Sequence, residues 1–166
     1  MEVKGYKTFN DGLINRYGKK FELGKIYSVD GEVSFGNDGN GFHFCKNIED
    51  TFRYFNAKDE KVVVAEVTGF SSIVTSNDEY NGYYDMYSAK SIRIDRIINR
   101  KELINMFLTK ITSESRVIRF IQLYRLTNDE IQLFKLWYAS SPRIIDAILY
   151  YQENQKDVYE KKYLKH

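Results

Sequence analysis

Apolar residues in the first hundred positions recur mainly with the two-residue period of β-strands. Residues 91–98 alternate apolar and charged side chains, as a strand with one buried face does. Residues 61–67 form a β-branched run that ends before Gly69, while 3–9 and 41–45 are shorter alternating stretches. The pattern therefore predicts four strands, with a long loop before the last one.

One amphipathic helix is predicted between the second and third of these strands. Asn47 is a favourable N-cap residue, and Ile48, Phe52 and Phe55 then follow at i, i+4 and i+7 on one face. All ten glycines precede position 83, so this half of the chain should be rich in turns.

The second half of the chain predicts a bundle of four helices. Thr127 and Glu130 have the spacing of a capping box, in which each satisfies a free amide of the other. Ser141 followed by Pro142 is typical of a helix start. The helices are predicted over 101–108, over 113–125, from Thr127 onward and from Ser141 onward.

Composition narrows the class of protein. A length of 166 residues with 43% apolar residues predicts a small globular protein with a hydrophobic core. The net charge of +2 gives no strong argument for binding to nucleic acid or to a membrane surface. The N-terminus lacks the apolar block of a signal peptide. A single cysteine, Cys45, excludes an internal disulfide and predicts the cytoplasm, here of a bacterial host. Two histidines and one cysteine predict no metal site.

Three motifs stand out in the first part of the chain: Gly5-Tyr-Lys-Thr-Phe-Asn10, Phe21-Glu-Leu-Gly-Lys-Ile-Tyr27 and Gly41-Phe-His-Phe-Cys45. Together they resemble an uncharacterised domain of bacteriophage and prophage proteins over roughly residues 5 to 98.

A wider resemblance is to the ADP-ribosyltransferase fold of the diphtheria-toxin and poly(ADP-ribose) polymerase branch. It rests on 39–45, on a helix ending near Tyr54, and on a β-branched strand closed by Glu66 and Val67. It implies a small split, antiparallel-rich sheet over 1–99. Together with the helical region that the pattern predicts over 100–166, this gives an α+β protein. The resemblance also implies an NAD site in which Lys7, His43, Phe44 and Tyr54 bind the cofactor.

The same resemblance argues against catalysis. Such enzymes place a Glu on a late strand, where it stabilises positive charge that develops on the ribose. Here 89–95 matches that pattern with Lys90 at the position of the Glu. If the chain were an enzyme, His43, Glu66 and Lys7 would be the candidate catalytic residues, with Asp95 a further candidate carboxylate.

Simpler interpretations stand beside these. His43 could be a hydrogen-bonded structural histidine, and Cys45 a small buried core residue. Four tyrosines in a predicted loop suit protein recognition, although packing over the sheet is equally compatible with them. They are Tyr80, Tyr83, Tyr84 and Tyr87.

Three functions follow as hypotheses. The first is a phage-type, non-catalytic module that binds a host enzyme or defence complex and inhibits it, for example an anti-CRISPR protein. It needs no cofactor, and nucleic acid would be contacted only indirectly. The second is an NAD-dependent ADP-ribosyltransferase acting on a host protein or nucleic acid. The third is an accessory or structural phage protein.

Overall fold

A computed structural model describes residues 1–35, 39–53, 62–76 and 86–163, with side chains to position 154. Contacts divide the chain into two compact units, Met1–Arg100 and Lys101–His166. We call them the β unit and the helical unit. The expected α+β class, with an antiparallel sheet followed by helices, is confirmed.

The β unit holds a five-stranded sheet whose strand pairs are all antiparallel. Because β4 pairs with both β1 and β5, the pairings β1–β3–β5–β4–β1 close into a ring. The short strand β2 pairs with β5. A 3-10 helix follows β3 at Ile48–Arg53, where the predicted helix begins. The strands are β1 (Glu2–Phe9), β2 (Ile26–Ser28), β3 (Phe42–Cys45), β4 (Val63–Ser76) and β5 (Met86–Ile98).

Two strands are longer than the sequence pattern predicts. β4 continues to Ser76 and β5 starts at Met86, so much of the expected loop is a long antiparallel pair. The prediction that Tyr87 belongs to a loop is therefore wrong. Tyr87 lies in β5, half-buried, with its ring 5.2 Å from that of Phe44. β2 was not predicted, because three residues are too few to show a period.

Phe44 occupies the interior of the ring of strands, and its ring leaves no room for a side chain at two neighbouring positions. A Cβ placed on Gly5 would lie 2.6 Å from the Phe44 ring, and one on Gly69 would lie 2.7 Å from it. Glycine is therefore required at both positions by close packing. Around Phe44 the buried apolar cluster consists of Phe9, Leu13, Phe21, Phe42, Ala65, Val67, Ala89, Ile92 and Ile94.

The helical unit follows the predicted order of helices. Phe107 and Phe120 stack at its centre with ring centroids 3.9 Å apart. The Thr127–Glu130 capping box forms both of its hydrogen bonds, of 2.8 and 3.2 Å. No helix in the part of the chain that the structure describes is long and apolar enough to cross a membrane. The helices are α1 (Arg100–Asn105, continued by a π-helical turn at Met106–Lys110), α2 (Glu114–Leu123), α3 (Asn128–Trp137) and α4 (Pro142–Tyr163).

Candidate functional site

A cavity of about 440 Å³ opens in the β unit beside the junction of β1 and β3. These two strands pair at one position only, where Tyr6 lies opposite Cys45. Residues on both strands next to that pair line the cavity, and the segment between β1 and β2 supplies another wall. The lining residues are Tyr6, Lys7, Thr8, Asn15, Arg16, Tyr17, Lys19, Phe21, Val29, Gly39, Gly41, Phe42, His43, Phe44, Cys45, Thr51 and Met86.

Lys7 joins the two strands through its side chain. Its Nζ donates a hydrogen bond of 2.6 Å to the carbonyl oxygen of His43 and lies 5.9 Å from the centre of the Phe9 ring. The pKa of Lys7 is lowered to about 8, chiefly by burial of the ammonium group; an interaction with Cys45 partly opposes this shift and the charge of Arg16 adds to it. A neutral carbonyl therefore does not fully compensate this charge.

A short turn presents two more cations to the cavity. The side-chain oxygen of Asn15 accepts hydrogen bonds from the backbone N–H groups of Tyr17 and Lys19, at 3.0 and 2.9 Å. Gly18 closes the turn with a φ of 87°, a conformation that glycine adopts without strain. The turn places Arg16 and Lys19 among the lining residues.

Both of these cations make contacts with aromatic rings. Arg16 donates a hydrogen bond of 2.8 Å to the hydroxyl of Tyr17, and its guanidinium carbon lies 5.0 Å from the Tyr17 ring centre. The Nζ of Lys19 lies 5.3 Å from the ring centre of Phe21 and 5.6 Å from that of Phe42. Cation–π contacts stabilise charge without neutralising it.

His43 has the contacts of a structural histidine and also lines the cavity. Its Nε2 lies 3.3 Å from the carbonyl oxygen of Ser34, so this nitrogen carries the donated hydrogen. Its ring lies 5.2 Å from that of Phe35. Burial lowers the pKa of His43, and the Lys7 charge adds to this effect. Burial therefore favours the neutral form of the imidazole, although the hydrogen bond with the Ser34 carbonyl partly opposes this shift in pKa.

Cys45 is a core residue with an unreactive thiol. Its side chain is buried, and burial raises its pKa to about 12, with the nearby Asp50 carboxylate adding to the shift. Since the thiolate is the nucleophilic form, this sulfur is inert at neutral pH.

The candidate carboxylates do not line the cavity. Glu66 accepts two hydrogen bonds from Arg96, at 2.9 and 3.0 Å. Asp95 accepts from Arg93 at 2.6 Å and from the Thr68 hydroxyl. Both carboxylates are therefore already occupied by partners on the sheet.

Lys90 and Phe44 also differ from the roles that the resemblance gives them. Lys90 lies half-buried on β5 and is absent from the cavity lining, so it does not meet Lys7 and His43 there. Phe44 does reach the cavity, but its ring is 1% exposed and forms the centre of the core. The predicted residues Tyr54, Tyr80, Tyr83 and Tyr84 lie outside the described residues.

Arg16 and Lys19 are site residues that the sequence analysis missed. The segment Asn15-Arg-Tyr-Gly-Lys-Lys20 carries three cations in six residues around a turn-forming Asn and Gly. That composition was a usable signal, but only the fold brings the segment next to β1 and β3. No group of three His, Cys, Asp or Glu residues in the described ranges could hold a metal ion.

The fold and the cavity together indicate the class of protein: a small antiparallel β domain with a site that is lined by cationic and aromatic side chains. A family model described as a domain of unknown function (DUF7666) matches residues 3–106, and the chain belongs to this family. This confirms the expectation of an uncharacterised domain across the first part of the chain. No curated protein sequence and no solved structure matches the chain.

Proposed function

We propose that the β unit is a non-catalytic binding module, of the kind with which phages inhibit or modulate a host enzyme or defence system. The observation that supports this most is the charge of the cavity. None of its lining residues in the described ranges is acidic, whereas Lys7, Arg16 and Lys19 are cationic.

This charge opposes the chemistry of an ADP-ribosyltransferase. Cleavage of the bond to nicotinamide builds positive charge on the ribose, which a carboxylate stabilises. Two like unit charges about 4 Å apart repel by about 4 kcal/mol at an effective dielectric constant of about 20. A cation such as Lys7 at that distance would slow the step by about a thousandfold.

An active transferase is the second candidate, because Lys7 and His43 do meet in one cavity. Such an enzyme would need Glu66 as its acid. Glu66 would first have to leave Arg96, which already binds both of its carboxylate oxygens.

Incubation with labelled NAD and a bacterial lysate separates the two candidates. We expect neither nicotinamide release nor labelled protein. Release or transfer that is abolished by His43→Ala and Glu66→Gln would contradict the proposal. Glu22→Gln is the matched control, because Glu22 is exposed, pairs with Lys25 and lies outside the cavity lining.

The binding role needs its own experiment. We expect affinity capture from a bacterial host lysate to retain one protein, identified by mass spectrometry, that forms a complex of fixed stoichiometry once purified and loses activity in it. The combined change of Tyr80, Tyr83 and Tyr84 to Ser should abolish the complex. Tyr150→Ser, at a tyrosine that is 67% exposed in the helical unit, is the control. A purified partner whose activity is unaffected, or no partner at all, would contradict the proposal.

A further inference from the structure

The three cations of the cavity differ from other cations of the β unit in their partners. Three cations outside the cavity pair with carboxylates: Arg93 with Asp95 at 2.6 Å, Arg96 with Glu66 at 2.9 Å and Lys25 with Glu22 at 3.8 Å. Within it, the contacts are a carbonyl, a hydroxyl and aromatic rings, which carry no negative charge. The three cations of the cavity are Lys7, Arg16 and Lys19.

Lys7 makes this arrangement costly. A desolvated ammonium group is unfavourable unless a counter-charge is near, and one neutral carbonyl is a weak substitute. Burial is the main effect on the pKa of Lys7, the nearby Arg16 charge is also positive, and the Cys45 thiol is protonated at neutral pH and so carries no charge. Among the described residues, none that lines the cavity supplies a carboxylate as counter-ion to these cations.

We propose that this cavity binds a phosphate-bearing small molecule, whose phosphate is contacted by Lys7, Arg16 and Lys19. Three cations in the lining of one cavity match a doubly charged phosphate better than a single carboxylate. The planar guanidinium of Arg16 can bind two phosphate oxygens at once, while lysines act as point charges. This inference goes beyond the proposed function, since it holds whichever protein the module binds.

The volume and walls of the cavity indicate what accompanies the phosphate. About 440 Å³ lies within the range of about 300–1,000 Å³ typical of small-molecule sites. Of the aromatic residues in the lining, Phe21 and Phe42 are buried, whereas Tyr17 is 79% exposed beside Arg16, so its ring can contact a planar group next to the anion. A nucleoside monophosphate combines these two features, and AMP is therefore the probe of choice.

Calorimetric titration at pH 7 and low salt tests the proposal with three probes: AMP, inorganic phosphate and adenosine. AMP should bind, phosphate should compete with it, and adenosine should bind at least about tenfold more weakly, because a charged hydrogen bond contributes about 1.5–3 kcal/mol. No binding of AMP and phosphate, or adenosine binding as tightly as AMP, overturns it.

Two variants assign the binding to this cavity. Arg16→Gln and Lys7→Met should each weaken AMP binding by at least about tenfold. Lys4→Gln is the control, because Lys4 is exposed on the same strand as Lys7 and does not line the cavity. AMP binding that falls equally in the control, or in none of the variants, contradicts the site.

Arg16→Gln alters an exposed turn, so it decides the matter even if Lys7→Met fails to fold. The NAD experiment measures a different property from the AMP titration. Either proposal can therefore fail without the other.

Discussion

The two units bury different kinds of side chains. Among the described residues, all seven that are buried and carry a polar or charged side chain belong to the β unit. In the helical unit the buried residues are aliphatic or aromatic, as in the Phe107–Phe120 stack. The buried polar residues are Thr8, Glu49, Asp50, Thr51, Thr68, Ser88 and Ser91.

This difference indicates that the interior of the helical unit serves stability, whereas the interior of the β unit also serves the candidate site. Apolar side chains stabilise a fold whenever they are removed from water, and the helical unit uses little else. A polar interior costs free energy unless each group finds a partner. Each buried side-chain polar atom among the described residues has a partner, and Thr8 and Thr51 line the cavity, so we assign the candidate site to the β unit.

The largest predicted effect is loss of the apolar core in the helical unit. Phe120→Ala removes a fully buried ring that stacks on Phe107, and should lower the free energy of unfolding by about 4 kcal/mol, as measured by denaturant titration. Leu136→Ala is the control, because that side chain is 78% exposed and should change stability by less than about 0.5 kcal/mol. Similar losses in both variants would contradict an apolar core at Phe120.

A smaller effect is expected from overpacking the ring of strands. Gly69→Ala places a methyl group 2.7 Å from the Phe44 ring, and should destabilise the protein by about 2 kcal/mol. Combining it with Phe44→Leu should cost less than the sum of the two single changes, because the smaller side chain makes room. Ser72→Ala, exposed on the same strand, is the control. Strict additivity would disprove the close approach.

Lys7 should make the stability of the β unit depend on pH between about 8 and 10.5. Below pH 8 Lys7 is charged in both the folded and unfolded states, and the full desolvation cost is present. Between pH 8 and its ordinary value of 10.5 the folded protein releases this proton first, so the unfolded state binds more protons and stability rises with pH. After solvent screening the rise amounts to about 2 kcal/mol.

The difference in unfolding free energy between Lys7→Met and the natural protein isolates this group, because the other titrating residues cancel. The stability advantage of Lys7→Met over the natural protein should be largest below pH 8 and should decline as the pH approaches 10.5. A difference that is constant over this range would show that Lys7 is not desolvated.

The smallest predicted effect is local to the helical unit. Thr127→Ala removes the side-chain oxygen that accepts the Glu130 N–H, and should cost about 1 kcal/mol. Thr127→Ser keeps that oxygen and should restore most of the loss. A Ser variant as unstable as the Ala variant would argue against the cap.

The same contrast explains what could be predicted from the sequence. Thr127 and Glu130 act over three positions of one helix, so their spacing alone revealed the cap. The cavity depends on contacts between distant segments. Lys7 and His43 are 36 positions apart, and in the sequence only a family resemblance associates them. Arg16 and Lys19 were missed because no local period links their turn to β3.

The measurement that tests this account most directly follows Lys7→Met for stability and AMP binding in the same preparation. At pH 7 the variant loses the hydrogen bond to the His43 carbonyl but is relieved of the desolvated charge, so its free energy of unfolding should rise by a net amount of about 1 kcal/mol. Its binding of AMP should weaken at least about tenfold. A variant that is more stable and no longer binds is the predicted result. A variant that is less stable at pH 7, or that binds AMP as well as the natural protein, would contradict the account.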